Sequence, residues 1–139
     1  MHTIKIGELA RHADVHIETL RFYERKGLLS AAKRTEKGYR LYERDDITRV
    51  RFIKHAQGVG FSLKEVMELL QLKLDRKSKC ADVEMRAKHK IEEINQKIQS
   101  LEKMRIVLES LAKACKGTVP LSECPILKAF EEPSSGRTV

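Results

Sequence analysis

One long apolar repeat in the second half of the chain constrains the fold more than any other feature of the sequence. From about residue 81 to residue 113 there is no glycine and no proline. Within this stretch apolar residues recur at alternating steps of four and three, a pattern typical of a coiled-coil seam. We name the following positions the seam: Ala87, Ile91, Ile94, Ile98, Leu101, Arg105, Leu108 and Ala112.

A helix that carries such a seam needs a partner. It would be roughly 50 Å long at about 1.5 Å per residue, and an apolar stripe of that size is rarely left in water. Part of the stripe could pack against the N-terminal half of the same chain, but that half is too small to cover all of it. The repeat therefore predicts a homodimer.

The first 27 residues have the pattern of two short helices. Residues 6–12 place apolar side chains on one side of a helix, residues 13–15 form a tight connection, and residues 16–25 form a second helix that Gly27 can close. Two short helices around a three-residue turn predict a helix-turn-helix motif.

A small wing and further helices are predicted next. Residues 33–42 alternate aromatic and basic residues after Gly38, which predicts a two-stranded wing with that glycine in its turn. Asp45 and Asp46 precede an amphipathic helix that stops at Gly58 and Gly60. The capping box of Ser62 and Glu65 then begins another helix.

The positive charge is concentrated in the first half of the chain. Of the net charge of +8, residues 1–79 contribute 18 Lys+Arg and 11 Asp+Glu, or +7, whereas residues 80–139 contribute 10 and 9, or +1. This imbalance predicts a polyanion-binding head, although charge alone does not separate nucleic-acid binding from an ordinary solvated surface.

The cysteines lie at the ends of the apolar repeat. Counting back seven from Ala87 gives Cys80, and counting forward seven from Leu108 gives Cys115, so 35 positions of helix separate the two thiols. They cannot share an ion within one chain. In an antiparallel pair, however, Cys80 of one subunit would lie beside Cys115 and Cys124 of the other. The alternative is that the cysteines are buried and inert.

This geometry predicts two equivalent three-thiolate sites per dimer, each shared between the subunits. Thiolates select soft divalent ions such as Hg(II), Pb(II), Cd(II) and Zn(II). The loop of residues 116–123 contains no His and no Asp, so a fourth ligand would have to be Ser122, Glu123 or water. A sulfur-only site favours the first three ions over zinc.

Several classes of function are not expected. No apolar run approaches the length of a membrane span, and the N-terminus lacks the apolar segment of a signal peptide, which predicts a cytoplasmic protein without membrane contact. No Ser/His/Asp set, phosphate-binding glycine loop or carboxylate pair converges, so an enzyme is not expected.

Five short motifs stand in the first half of the chain: Ile6-Gly7-Glu8-Leu9-Ala10, Thr19-Leu20-Arg21-Phe22-Tyr23-Glu24, Gly27-Leu28-Leu29, Tyr39-Arg40-Leu41-Tyr42 and Gly60-Phe61-Ser62-Leu63. Together with the long helix and the cysteine spacing, they resemble the MerR family of transcription regulators, and in particular its mercury, lead, cadmium and zinc sensors. The resemblance covers about residues 4–130.

The resemblance implies a mainly α fold, with a winged helix-turn-helix head, an antiparallel dimerisation coiled coil and a short C-terminal metal-binding loop. It also implies binding to operator DNA between promoter elements that are spaced too far apart. Metal binding would untwist and bend that DNA so that RNA polymerase can use the promoter. A cysteine at position 80, where copper-type members have serine, implies divalent ions. The missing loop histidine and the single Cys115-Lys116 sequence differ from the zinc sensors.

Eight residues are candidates for contact with DNA. The second helix would lie in the major groove, with Thr19 and Arg21 toward the bases and His16 nearby, although His16 replaces the usual Ser or Thr. Tyr23 can donate its hydroxyl to a phosphate. The remaining candidates would bind the phosphate backbone from the wing, and they are Lys37, Tyr39, Arg40 and Tyr42. For the two tyrosines, packing in the core is an alternative.

Two other functions on the same scaffold remain open at this point. One is a thiol-redox-sensing regulator, and the other is a metal-independent architectural DNA-binding dimer. The predicted domains are a DNA-binding domain with connecting helices at 1–75, a linker and dimerisation helix at 76–114, a metal-binding loop and short helix at 115–131, and a flexible tail at 132–139.

Overall fold

The computed structural model describes residues 2–31 and 33–133, and these residues are mainly helical. They divide into two compact units, with the boundary between Ala87 and Lys88. Across the two described ranges, no helix is both long and apolar enough to cross a membrane. The elements in chain order are β1 (Thr3–Lys5), α1 (Ile6–Ala13), α2 (Ile17–Arg25), β2 (Lys33–Arg34), β3 (Arg40–Glu43), α3 (Asp45–Gly58), α4 (Leu63–Leu74), α5 (Cys80–Ala114), a 3-10 turn (Leu121–Glu123) and α6 (Pro125–Glu131).

The predicted helix-turn-helix is confirmed. Asp14 ends α1 in the left-handed region at φ 55°, and the amide of Val15 donates to the carbonyl of Ala10 at 3.0 Å. This tight reversal brings Leu9 of α1 and Leu20 of α2 into one core, where both are completely buried. The two helices therefore pack against each other through apolar residues that the sequence pattern places on their inner faces.

The wing is part of a three-stranded sheet, one strand more than the sequence predicts. β3 lies in the centre, paired antiparallel with β1 on one side and with β2 on the other. β1 was not predicted because three residues are too few to show alternation, and its pairing of Ile4 with Tyr42 spans the whole helix-turn-helix. Gly38 has φ +88° in the turn of the wing, as its position predicts.

Helices α3 and α4 complete the core of the first unit. Their apolar faces contribute Val50, Ile53 and Val66, which are fully buried. Ser62 caps α4: its hydroxyl accepts from the amide of Glu65 at 3.2 Å, while the Glu65 carboxylate accepts from the amide of Ser62 at 2.8 Å. The predicted capping box is confirmed, and with it the start of α4.

Removing this cap gives a direct measure of its contribution to stability. We expect Ser62→Ala to lower the free energy of unfolding by about 1 kcal/mol, because the amide of Glu65 loses its partner at the exposed start of α4. Urea unfolding at one fixed protein concentration measures the change. Ser30→Ala, at an exposed loop position, is the matched control, and an equal loss in both variants would contradict the role of the cap.

The second unit is dominated by the long helix. α5 runs without a break to Ala114, as the absence of glycine and proline predicts, and Gly117 follows with φ +75°. The large apolar residues of the seam are exposed to between 38% and 62% in the single chain. They are Ile91, Ile94, Ile98, Leu101 and Leu108.

The C-terminal segment also follows the prediction of one or two last helical turns. Pro125 occupies the first turn of α6, where the missing N–H of proline costs nothing. The predicted tail begins at Glu132, and its residues 134–139 lie outside the described residues. The predicted division into domains stays a prediction.

Candidate DNA interface and candidate metal site

Helix α2 presents a mixed polar and cationic surface. His16 precedes its first turn in an extended conformation, and its side chain makes no capping hydrogen bond to the helix. Arg21 is exposed and pairs with Glu18 of the preceding turn at 3.5 Å. Thr19 is half-buried. The sequence predicts that these three residues face DNA. His16 directly precedes α2, and the other two lie within its first five positions.

Two residues that were expected to donate to phosphates lie in the core instead. Tyr23 is 3% exposed, and its hydroxyl donates to Oε1 of Gln57 at 3.0 Å. Tyr42 is completely buried, and its hydroxyl donates to Oε1 of Glu24. Burial raises the pKa of both phenols, that of Tyr42 to about 12, with the hydrogen bond to Glu24 as the second cause. Both hydroxyls are therefore engaged within the head, and packing under the wing is the interpretation that fits Tyr42. The contacts of these two tyrosines with phosphates stay a prediction.

The other wing residues that are predicted to contact DNA are exposed to solvent. Tyr39 is 60% exposed, its amide donates to Oγ1 of Thr35 at 3.0 Å, and Nζ of Lys5 lies 5.7 Å from the centre of its ring. Lys37 is exposed at the turn. The side chain of Arg40 is 42% exposed and donates to Oε2 of Glu24 at 2.5 Å. The wing therefore presents two cations and an aromatic ring beside α2.

Several cations of the basic head have partners inside it. Nε of Arg49 donates to the carbonyl of Leu28 at 2.6 Å, and Nη2 of Arg51 donates to the carbonyl of His12 at 2.9 Å. Nζ of Lys54 donates to the carbonyl of Asp14 at 2.7 Å and lies 3.5 Å from the carboxylate of the same residue. These three side chains connect α3 to the helix-turn-helix. No sequence pattern distinguishes them from cations available to DNA.

The first unit also contains Cys80, the first residue of α5. Its thiol is free and exposed, and it lines a largely apolar groove of about 700 Å³. The walls of this groove come from α3, α4 and the start of α5, including Phe52, Val59 and Val83. His55, for which the sequence gives no metal-ligand spacing, lines the same groove.

The second unit contains the other two thiols. Cys115 follows the last residue of α5 and is free and exposed. Cys124 is free and half-buried at the junction of the 3-10 turn and α6, where its carbonyl accepts from the amide of Lys128 at 3.0 Å. The intervening loop contains no histidine, as the sequence shows. The chemistry of this donor set, accessible thiols without competing disulfides, fits a soft metal ion.

Within the described part of one chain, no group of three or more His, Cys, Asp or Glu residues is gathered as a metal site would require. The set of three cysteine ligands that the sequence predicts stays a prediction.

Comparison with known proteins agrees with these features. The profile of the MerR HTH family regulatory proteins matches residues 4–73, and that of MerR, DNA binding matches residues 47–111. The chain is 38% identical to the HTH-type transcriptional regulator ZntR of Escherichia coli over 134 residues, which cover 95% of both chains. It is 40% identical to the mercuric resistance operon regulatory protein of Bacillus cereus over 126 residues, 91% of this chain and 96% of that one.

One solved structure extends the agreement to the fold. The crystal structure of the transcription regulator PbrR691 from Ralstonia metallidurans in complex with lead(II) matches with a TM-score of 0.81 at 31% identity, over 91% of this chain and 98% of that one. The fold and its exposed second helix define a winged helix-turn-helix regulator that binds DNA. The chain belongs to the MerR family, in its heavy-metal-responsive branch, and is a metal-responsive transcription regulator.

Proposed function

We propose that this regulator works in the cytoplasm as an antiparallel homodimer that activates transcription when soft divalent ions bind at two three-thiolate sites. The observation that carries the proposal is the placement of the thiols. Cys80 is the first residue of α5, Cys115 follows its last residue, and an exposed apolar seam lies between them. Only a second helix in the opposite direction would cover the seam and bring thiols from both ends together.

Each site would use residues of both subunits. Cys80 of one subunit would lie beside Cys115 and Cys124 of the partner subunit, with Ser122, Glu123 or water available as a fourth ligand. When bound, the ion supplies bonds that link the start of α5 in one subunit to the loop of the other. Three thiolates without a loop histidine favour Hg(II), Pb(II) or Cd(II) over Zn(II). The relative named for mercuric resistance and the lead-bound structure support a soft divalent ion as the ligand.

The DNA contacts would come from α2 and the wing. His16, Thr19 and Arg21 would face base edges in the major groove of the operator, while Lys37 and Tyr39 would contact the phosphate backbone. Arg40 would reach a phosphate after releasing Glu24, to which it donates in the described chain. Tyr23 and Tyr42 would support these contacts from the core rather than make them.

The switch is proposed to act through the shape of the promoter. A ligand shifts an equilibrium only by its differential affinity for two states, so the thiolates must bind the ion better in the activating arrangement. Bending a promoter costs of order 1–6 kcal/mol. If the ion binds the activating arrangement better by a free energy of that size, RNA polymerase could use widely spaced promoter elements. Hydrogen bonds from Arg49, Arg51 and Lys54 hold the head together, so it would move as one piece.

Transcription from a promoter that the purified protein binds tests the proposal. We expect stimulation by Hg(II), Pb(II) or Cd(II) at lower free concentrations than by Zn(II), because three thiolates without a histidine suit the larger soft divalent ions. Cu(I) is not expected to stimulate transcription, because position 80 holds a cysteine where copper-type members have serine.

Two controls separate the alternatives. Anaerobic samples treated with peroxide and no metal test redox sensing, and metal-free samples with chelator test an architectural role. Full stimulation by peroxide alone would replace the metal sensor by a thiol-redox sensor. Transcription that does not respond to metal or peroxide would leave a DNA-binding dimer without a sensor.

A further inference from the structure

Glu24 is an acidic residue at the junction of α2 and the wing. Its side chain is 13% exposed, and both carboxylate oxygens are occupied. Oε2 accepts from Nη1 of Arg40 at 2.5 Å, and Oε1 accepts from the hydroxyl of Tyr42. Because both partners belong to β3, this one carboxylate joins the helix that faces DNA to the central strand of the wing.

The carboxylate lies in a cationic groove. Between α2 and the wing there is an open cavity of about 540 Å³, whose charged lining residues are Arg21, Arg25, Arg40 and Glu24. Glu24 is the acidic residue among three arginines, on the surface that is proposed to face DNA. A negative charge there weakens the attraction of the groove for any phosphate backbone, whatever its sequence.

The partners of Glu24 respond differently to its loss. Tyr42 is completely buried, so its hydroxyl needs an acceptor, and Glu24 provides one. Arg40 is partly exposed and could turn to a phosphate if Glu24 released it. The carboxylate thus restrains a wing cation that lines the same groove as the arginines of α2.

We propose that Glu24 is a positioning residue for DNA recognition, which holds Arg40 and Tyr42 so that the wing discriminates between operator and other DNA. The inference rests on the proposed DNA contacts of α2 and the wing. Its negative charge lowers the affinity for DNA in general, and its two hydrogen bonds keep the wing in the orientation that suits the operator.

Two substitutions separate charge from position. Glu24→Gln removes the charge, keeps an oxygen for Tyr42 and turns amide hydrogens toward Arg40. Glu24→Asp keeps the charge beside Arg40 but is too short to reach the hydroxyl of Tyr42 as well. The probes are a duplex selected from random DNA by the wild-type protein and a duplex of the same length with shuffled sequence. Dissociation constants for both are measured over a range of salt concentrations, and circular dichroism melting checks that each variant is folded.

We expect the ratio of the two affinities to fall about tenfold in both variants, the size of one charge-assisted hydrogen bond. In Glu24→Gln the salt dependence for the shuffled duplex should also steepen by about one charge equivalent, because Arg40 is released to phosphate. In Glu24→Asp that slope should stay unchanged. If Glu24 had only a structural role, both substitutions would change the melting temperature, and the salt dependence of DNA binding would not differ between the two variants.

Glu18→Gln is the matched control, since it removes the same charge from the same helix, where Glu18 is 79% exposed and pairs with Arg21. It should leave the affinity ratio within about twofold. An equal fall in ratio for Glu18→Gln and Glu24→Gln, or a wild-type ratio in Glu24→Asp, would overturn the inference. If the wild-type protein itself failed to discriminate between the two duplexes, the proposed function would fail instead.

Discussion

Replacing any one of the three cysteines by serine is expected to abolish metal-stimulated transcription while operator affinity changes by less than about twofold. Serine has nearly the shape of cysteine but offers a hard oxygen that is not deprotonated at neutral pH, so a soft ion loses one of its three bonds. The DNA-facing residues of α2 and the wing are not altered. Transcription assays and operator binding with Cys80→Ser, Cys115→Ser and Cys124→Ser measure the two effects separately.

Mixed dimers make the test specific for a shared site. When a Cys80→Ser subunit pairs with a Cys115→Ser subunit, one of the two proposed sites loses both cysteines and the other keeps all three. Metal binding should therefore return at half the wild-type stoichiometry, although neither variant binds metal tightly as a homodimer. If each site lay within one chain, every site in the mixed dimer would still lack a cysteine, and no recovery would be seen. Such a result would contradict the antiparallel arrangement.

Charges placed in the seam are expected to separate the subunits. Ile94 and Leu101 are 38% and 62% exposed in the single chain, and covering an apolar side chain of this size contributes about 1.5–3 kcal/mol when burial is complete. Each substitution occurs twice in a dimer, so Ile94→Asp together with Leu101→Asp should convert it to monomers at micromolar concentration. Sedimentation equilibrium measures the assembly. Operator affinity should fall more than about 100-fold, since a monomer contacts one half-site.

The control places the same charges on the outer face of the same helix. Gln96→Asp and Lys103→Asp lie seven residues apart on the face that carries His89, away from the seam. We expect this variant to remain dimeric and to bind the operator as the wild type does. Dimers that survive the seam substitutions, or dissociate equally with the outer ones, would show that subunits associate through another surface.

The helices and their order could be predicted because the responsible signals are local. The absence of glycine and proline in α5, the capping box at Ser62 and the positive φ of Gly38 each depend on a few neighbouring residues. β1 could not be predicted in the same way. Three residues gain their strand structure only by pairing with β3, some forty positions further along the chain.

The candidate DNA interface was harder to predict than the fold. Tyr23 and Tyr42 belong to motifs rich in basic and aromatic residues, which suggested phosphate contacts, yet packing between elements turns both rings inward. The proposed positioning role of Glu24 could not be predicted either, because its two partners belong to β3, a strand distant from Glu24 in the sequence. Which side of an element faces the core depends on tertiary contacts that a residue pattern does not contain.

The candidate metal site could also be predicted only in part. Heptad spacing located Cys80 and Cys115 at the two ends of α5, and their observed positions agree with this. The choice among soft ions depends on donor atoms, distances and angles across two chains. Spacing along one chain does not specify these.

The hydrogen bonds that Arg49, Arg51 and Lys54 make to backbone carbonyls affect how the basic head should be understood. Counterions leave DNA in proportion to the phosphates that are neutralised at the surface, not in proportion to the formal charge of the protein. Cations engaged in internal bonding still add to the long-range field that draws the head toward the double helix. Each has one donor fewer to offer a phosphate, so we expect the approach to DNA to depend on more charges than the bound state does.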